Sequence, residues 1–235
     1  MRELLMKKAS SSLVAAMGLI LLLIFIAAMK QRPLQNKTYS YLALGDSYTI
    51  GEGIAIKESF PHQVVDMLRA KGMEFKAPKV IAKTGWTTDE LQTAIQNSNL
   101  EGRYDFVSLL IGVNNQYRKR KVDEYLLEFE SLVKQAILFA GNDPKKVIVL
   151  SIPDWSVTPF GAGATQARIA SEIDQFNEAN TQVAEKYHVH YINITPGTRQ
   201  AARDAGLVAE DGLHPSAKEY RKWAKKVAAV ISSGL

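Results

Sequence analysis

Short apolar runs alternate with longer stretches of helical periodicity along most of this chain. The apolar runs have the length of β-strands, are rich in Val, Ile, Leu or aromatic residues, and lie at 39–44, 79–82, 106–111, 147–152 and 189–194. The stretches with helical periodicity lie at 60–71, 88–97, 122–140, 165–187 and 216–232. Because the strands are almost uniformly apolar, this alternation predicts a parallel β-sheet that helices cover on both faces, which is an α/β fold.

Residues 1–29 differ in character from the rest of the chain. An uncharged apolar run fills 13–29 after two lysines, and it indicates either a signal peptide or a membrane anchor. The run is slightly long for the core of a signal peptide and slightly short for a membrane-spanning helix, so both interpretations stay open. The polar residues 30–38 are typical of a linker, which leaves 39–235 for one globular domain. We expect export to the periplasm or the cell exterior, with membrane contact only through 13–29.

The distribution of charge and the absence of cysteine exclude several classes of function. Six of the 29 Lys and Arg residues, but only one of the 24 acidic residues, fall within 1–40, so the predicted domain is formally neutral. We therefore expect no nucleic-acid partner. The chain has no cysteine, which excludes disulfides, thiolate nucleophiles and cysteine-based metal sites. We expect no metal site, and the composition leaves the oligomeric state open.

Polar residues or glycines follow the first three predicted strands. Open parallel sheets bind ligands outside the carboxyl ends of their strands, so these residues are the first candidates for a site. Ser47 follows the first strand within 45–53, where three glycines permit a tight turn that exposes its hydroxyl. Gly85 follows the second strand and can present a backbone N–H, and Asn114 follows the third and can donate from its amide. Each of these residue types is common in loops and alone indicates no function.

Asp211 and His214 lie three residues apart, just before the last predicted helix. In a turn, the carboxylate can come within hydrogen-bond distance of the imidazole, fix its tautomer and stabilise the imidazolium. Together with Ser47, Gly85 and Asn114, this pair supplies a nucleophile, a base, the group that orients the base, and donors for an oxyanion. The joint pattern predicts a serine hydrolase that forms an acyl-enzyme.

These blocks and their order resemble the SGNH (GDSL) hydrolase family. The match runs from Gly-Asp-Ser at 45–47 through Gly85 and Gly-Val-Asn at 112–114 to Asp-Gly-Leu-His at 211–214. It spans essentially the whole chain after the linker. The resemblance implies the SGNH hydrolase fold, a flavodoxin-like three-layer α/β/α sandwich around a five-stranded parallel sheet with strand order 2-1-3-4-5.

The resemblance also implies ester hydrolysis without a metal or another cofactor. It assigns Ser47, Asp211 and His214 to a catalytic triad. The oxyanion hole that it implies consists of the N–H groups of Ser47 and Gly85 and the side-chain amide of Asn114.

Five residues near these blocks are candidates for contact with the substrate: Asp46, Trp86, Asn115, Asp154 and Trp155. The chain departs from the family pattern at two positions. Tyr48 replaces the Leu of Gly-Asp-Ser-Leu, which should affect local packing more than chemistry. Asn115 replaces the Asp of Gly-x-Asn-Asp, which removes a carboxylate near the site.

Four functions compete for this pattern. The leading hypothesis is an esterase that removes small or glycan-linked acyl groups. A lysophospholipase or thioesterase with lipolytic activity is the alternative within the family. A protein that binds carbohydrate or lipid without cleaving it would be favoured by a missing Ser or His, but both are present. A flavodoxin-like electron carrier is excluded, because the first loop lacks a phosphate-binding run rich in Ser and Thr.

Overall fold

The computed structural model describes residues 37–98, 100, 102–163 and 165–234. The predicted signal peptide or anchor at 1–29 and most of the predicted linker lie outside the described residues. Within the described ranges, no helix is both long enough and apolar enough to cross a membrane.

The described residues form one five-stranded sheet in which every pairing is parallel. Its strands are β1 (Tyr41–Asp46), β2 (Lys79–Lys83), β3 (Phe106–Leu110), β4 (Val147–Leu150) and β5 (His190–Ile192). The strand order β2-β1-β3-β4-β5 confirms the predicted order. All residues of β1, β3 and β4 are buried, which explains why these strands are almost uniformly apolar.

Eight α-helices connect or follow the strands in the described part of the chain. They are α1 (Ser47–Ile50), α2 (Phe60–Arg69), α3 (Thr88–Asn97), α4 (Val113–Tyr117), α5 (Val122–Phe139), α6 (Gln166–Tyr187), α7 (Thr195–Thr198) and α8 (Ala217–Ser233). Short 3₁₀ segments occupy Ile56–Glu58, Pro144–Lys146, Pro159–Gly161, Arg199–Ala202 and Ala205–Leu207. The five predicted helices are all present, whereas α1, α4 and α7 were not predicted.

The helices form two layers. Helix α2 packs against α8, and α5 packs against both α3 and α6, so that the sheet lies between the two groups. This arrangement confirms the predicted three-layer α/β/α sandwich. The one hydroxyl in the middle of buried strand β3, that of Ser108, is hydrogen-bonded to the Tyr41 hydroxyl at 2.7 Å.

Gly45 allows β1 to end in a sharp turn. A Cβ atom at this position would overlap the carbonyl oxygen of Leu110 in β3 and the side chain of Thr49 in α1. The absence of a side chain therefore lets the strand lie close to β3 and lets α1 begin directly at Ser47. The residues after β1, β2 and β3 meet at one edge of the sheet, as the sequence predicts.

Candidate active site

Ser47 is the first residue of α1 and follows β1 directly. The carboxylate of Asp46 caps this turn by accepting a hydrogen bond from the Tyr48 N–H at 3.0 Å. The turn ends at Gly51, which has the left-handed φ of 79° that favours glycine. These features fix Ser47 at the carboxyl edge of the sheet.

A small open cleft of about 120 Å³ lies at this edge, and Ser47, Asn114 and His214 all contribute to its walls. The cleft is otherwise mainly apolar or aromatic, with side chains from Val113, Tyr117, Trp155, Phe160 and Leu213. The fold thus brings three predicted catalytic residues into one cavity although 167 positions separate the first from the last along the chain.

Asp211 holds His214 through both its side chain and its backbone. His214 Nδ1 lies 2.7 Å from Asp211 Oδ2, and Asp211 Oδ1 accepts hydrogen bonds from the N–H groups of Leu213 and His214, both at 2.9 Å. Partial burial alone would raise the pKa of Asp211, but these donors outweigh it and lower the pKa. An ionised Asp211 keeps a proton on His214 Nδ1, which leaves Nε2 as the acceptor.

Two packing contacts connect this pair to the Ser47 turn. The Tyr48 ring packs on the imidazole of His214, with 4.9 Å between the ring centroids. A Cβ atom at Gly53 would lie 2.6 Å from Asp211 Oδ2, so the glycine leaves the space that the carboxylate occupies. The hydrogen bonds of the described residues do not include one between Ser47 Oγ and His214. In substrate-free enzymes such contacts are often long and shorten when the substrate binds.

Asn114 lies on α4 with a fixed amide orientation. Its Nδ2 atom donates to the Trp86 carbonyl at 3.0 Å and to Asp46 Oδ2 at 3.4 Å. Because the Trp86 carbonyl can only accept, the NH₂ group of Asn114 and not its carbonyl must face it. The 3.4 Å contact is the weaker of the two.

The turn that contains Gly85 is fastened to the end of α4. Gly85 has a φ of 82°, and its carbonyl accepts a hydrogen bond from Arg118 Nη2 at 2.7 Å. Arg118 also contacts Glu90, whose carboxylate accepts from the Thr87 N–H at the start of α3. This network holds the Gly85 turn and the Asn114 helix in one fixed arrangement.

Asp46, Asn115 and Asp154, three of the residues predicted to contact the substrate, are buried and hydrogen-bonded within the protein. Asp46 caps α1 and faces Asn114. The amide of Asn115 both accepts from the Thr88 N–H at 3.1 Å and donates to the Thr88 hydroxyl at 2.7 Å. All three side chains hold neighbouring parts of the site in place, and their contact with the substrate stays a prediction.

Asp154 belongs to an ion pair behind the cleft. Its Oδ2 atom lies 2.8 Å from Arg199 Nε, and its Oδ1 atom accepts from both the backbone N–H and the hydroxyl of Ser156. The Trp86 side chain is half-buried, packs against the core and does not line the cleft, although its carbonyl orients Asn114. The contact of Trp86 with the substrate stays a prediction.

Trp155 lines the cleft, so its contact with the substrate stays a prediction. Sequence reasoning missed its two aromatic neighbours, Tyr117 and Phe160. Tyr117 lies three residues after Asn114, which places it on the same side of a helix, but the five-residue helix α4 was not predicted. Phe160 lies in the three-residue 3₁₀ segment Pro159–Gly161, which is too short for a periodicity that would indicate where its side chain points.

Solved structures with the same fold include several esterases and related proteins. TesA aligns over 83% of this chain and 99% of its own, with 17% identity and a TM-score of 0.66. Axe2, an acetylxylan esterase from Geobacillus stearothermophilus, aligns over 84% of this chain and 96% of its own, with 20% identity and a TM-score of 0.65. The lipase/acylhydrolase from Enterococcus faecalis aligns over 84% of this chain and 97% of its own, with 20% identity and a TM-score of 0.63. At these identities the likeness shows the fold alone.

Sequence comparisons identify the family. No curated protein sequence matches the chain significantly. Residues 43–222, which are most of the chain, match the family model described as GDSL-like lipase/acylhydrolase. This match confirms the resemblance to SGNH hydrolases. The chain therefore belongs to the GDSL-like lipase/acylhydrolase family and is an enzyme that hydrolyses ester bonds.

Proposed function

We propose that this enzyme hydrolyses carboxylic esters through an acyl-enzyme formed on Ser47. His214 is the base and Asp211 orients it. The observation that carries the proposal is the position of His214, which Asp211 holds at 2.7 Å and which lines the same cleft as Ser47 and Asn114. Esterases and a lipase/acylhydrolase among the structural neighbours support the same reaction class.

In the first half-reaction, Ser47 Oγ attacks the carbonyl carbon of the ester while His214 Nε2 accepts the hydroxyl proton. The carbonyl π electrons move to the oxygen, which becomes an oxyanion. The N–H groups of Ser47 and Gly85 and the Asn114 amide donate to this oxygen. When the tetrahedral intermediate collapses, the bond to the alcohol oxygen breaks, and the alcohol leaves with the proton from His214.

In the second half-reaction, water takes the place of the alcohol, and the same groups act on it. His214 Nε2 takes a proton from water as the water oxygen attacks the acyl carbon, and the same donors stabilise the second oxyanion. Collapse of this intermediate breaks the bond to Ser47 Oγ, which recovers its proton from His214. The products are a carboxylic acid and the free enzyme. No step needs a group from outside the chain other than water.

Covalent trapping tests the assignment of the nucleophile. Diethyl p-nitrophenyl phosphate should transfer one diethylphosphoryl group to Ser47 of the full chain, seen as a single mass addition and located by peptide mapping. Ser47→Ala should remove the addition. Ser59→Ala is the matched control, because Ser59 Oγ also contacts a histidine, His62 Nδ1 at 3.0 Å, but lies outside the cleft. Labelling of another residue, or equal labelling of Ser47→Ala, would contradict the proposal.

We also propose that the enzyme acts outside the cytoplasm. The apolar run at 13–29 that follows positive charges supports this location. Cell fractionation with an antibody against the catalytic domain should find the protein in the membrane or exported fraction. Recovery of the protein with an intact N-terminus only from the soluble cytoplasm would contradict it.

A further inference from the structure

The catalytic cleft has one wall made of three aromatic side chains, Tyr117, Trp155 and Phe160, which we call the aromatic wall. The ring centroids lie 5.4 Å apart for Tyr117 and Trp155, 5.9 Å for Trp155 and Phe160, and 6.2 Å for Tyr117 and Phe160. We propose that the aromatic wall binds an unbranched apolar chain of the ester and makes the enzyme selective for such chains over acetyl groups. This inference rests on the proposed function.

The aromatic wall offers mainly carbon surface. The indole N–H of Trp155 donates to Gln116 Oε1 at 2.8 Å, and Gln116 in turn donates to Glu172 at 2.7 Å, so this N–H is not free for a ligand. Val113 and Leu213 extend the apolar lining.

The cleft has few polar groups beyond those that serve the reaction. Ser47, Asn114 and His214 serve the reaction, and the remaining polar atoms among the lining side chains are the hydroxyls of Tyr48 and Tyr117. A site that selects a sugar ring needs several placed hydrogen-bonding groups to discriminate among its hydroxyls. The composition of the lining therefore favours a hydrocarbon chain.

The aromatic wall is fixed relative to the catalytic base. The Phe160 N–H donates to the Gly212 carbonyl at 2.9 Å, which ties its loop to the segment between Asp211 and His214. The Trp155 carbonyl accepts from the backbone N–H of Thr158 at 3.1 Å and from its hydroxyl at 2.7 Å, which closes the same loop into a tight turn. The surface is thus preformed, and a ligand does not have to order it on binding.

Solvent covers much of this surface in the free enzyme. Tyr117 is 53% exposed and Phe160 is 50% exposed, which is unusual for large apolar rings beside an active site. A chain that lies across them would bury apolar area on both partners. Each buried methylene should raise kcat/KM about fourfold until the chain passes the edge of the cleft.

The apolar chain could come from either side of the ester, and two series of substrates distinguish these sources. The acyl series is methyl acetate, methyl butyrate and methyl hexanoate, and the alcohol series is methyl acetate, butyl acetate and hexyl acetate. Proton release in a pH-stat follows all of them, which avoids p-nitrophenyl esters whose own ring could occupy the aromatic wall. We expect kcat/KM of the full chain to rise along one series.

Tyr117→Ala and Phe160→Ala test the aromatic wall, because both side chains are half-exposed and their loss should not prevent folding. Each should lower kcat/KM for the long ester of the favoured series about tenfold and change that for methyl acetate by at most about twofold. Leu127→Ala is the matched control, since Leu127 is a 70% exposed apolar residue on α5 outside the cleft. It should leave every rate unchanged.

Three results would overturn the inference. The first is a kcat/KM that does not depend on chain length in either series. The second is an equal loss of kcat/KM for short and long esters in Tyr117→Ala. The third is a higher kcat/KM for an acetylated xyloside than for the long esters, with this preference lost in Tyr117→Ala. Failure of the proposed function looks different, because every ester of both series would then be inert or would be cleaved equally well by Ser47→Ala.

Discussion

Replacing Asp46 by Asn should change how the free energy of unfolding depends on pH. Burial raises the pKa of the Asp46 carboxyl from 3.8 to about 7, although hydrogen bonds from the Tyr48 backbone, its own backbone and Asn114 oppose the rise. Between about pH 4 and pH 7 the folded protein therefore keeps a proton that the unfolded chain has released. Over this interval the free energy of unfolding falls as the pH rises, and above it this contribution is constant.

The magnitude follows from the two pKa values. The difference between 3.8 and about 7 corresponds to roughly 4 kcal/mol. In Asp46→Asn the amide oxygen can still accept from the Tyr48 N–H, while the NH₂ group faces the Asn114 amide. These two changes in hydrogen bonding alter the free energy of unfolding by an amount that does not depend on pH. The free energy of unfolding of Asp46→Asn minus that of the wild type should therefore rise by about 4 kcal/mol between pH 4 and pH 8.

Urea titrations followed by tryptophan fluorescence at intervals between pH 4 and pH 8 measure this difference. Asp211→Asn is the control, and its difference from the wild type should show no such rise between pH 4 and pH 8. Hydrogen bonds lower the pKa of Asp211, so its ionised form stabilises the wild type above the unfolded pKa, and this contribution is lost as the pH falls through the lowered value. Parallel curves for Asp46→Asn and the wild type would refute the assignment of a buried, proton-retaining carboxyl at position 46.

Three further predictions concern catalysis and folding. Asn114→Ala should lower kcat by about 10²–10³ with KM little changed, and an unchanged kcat in steady-state assays would remove the amide from the oxyanion hole. Asp211→Asn should lower kcat by up to about 10⁴ through the wrong histidine tautomer, whereas a minor effect would indicate a Ser–His dyad. Gly45→Ala should abolish the cooperative thermal transition, because the added Cβ would overlap the Leu110 carbonyl. Gly234→Ala is the control and should melt like the wild type, because no atom would lie closer than 3.7 Å to its Cβ.

The sheet and its catalytic edge could be predicted because their signals are long and periodic. The largely apolar strands determine a parallel sheet, and this topology brings together residues as distant as Ser47 and His214. The short helices α1 and α4 carry no such period. They form because Asp46 caps one and because Gly112, with a φ of 127°, starts the other where a Cβ would lie 2.5 Å from the Tyr125 hydroxyl.

The roles of individual polar residues at this edge were harder to predict. Sequence places Asn114 and Asn115 side by side, but the turn points one amide toward Asp46 and Trp86 and buries the other against Thr88. The direction of each amide depends on which backbone groups nearby remain without partners after folding. This is a property of the tertiary structure.

The aromatic wall could not be predicted from the sequence for a different reason. Its three residues come from the end of α4 and from the segment after β4, which is tied to the Gly212 carbonyl by the Phe160 N–H. No local pattern in the sequence records this long-range hydrogen bond. Only Trp155 could be selected in advance, from its place shortly after a predicted strand.

Hydrolysis of p-nitrophenyl acetate by the full chain and by Ser47→Ala is the most direct test of Ser47 as the nucleophile, with Ser59→Ala as the control. We expect turnover by the wild type and by Ser59→Ala, and a loss of roughly 10⁴–10⁶ in kcat for Ser47→Ala in a protein that remains folded. Turnover by Ser47→Ala within about tenfold of the wild type would contradict the assignment of Ser47 as the nucleophile.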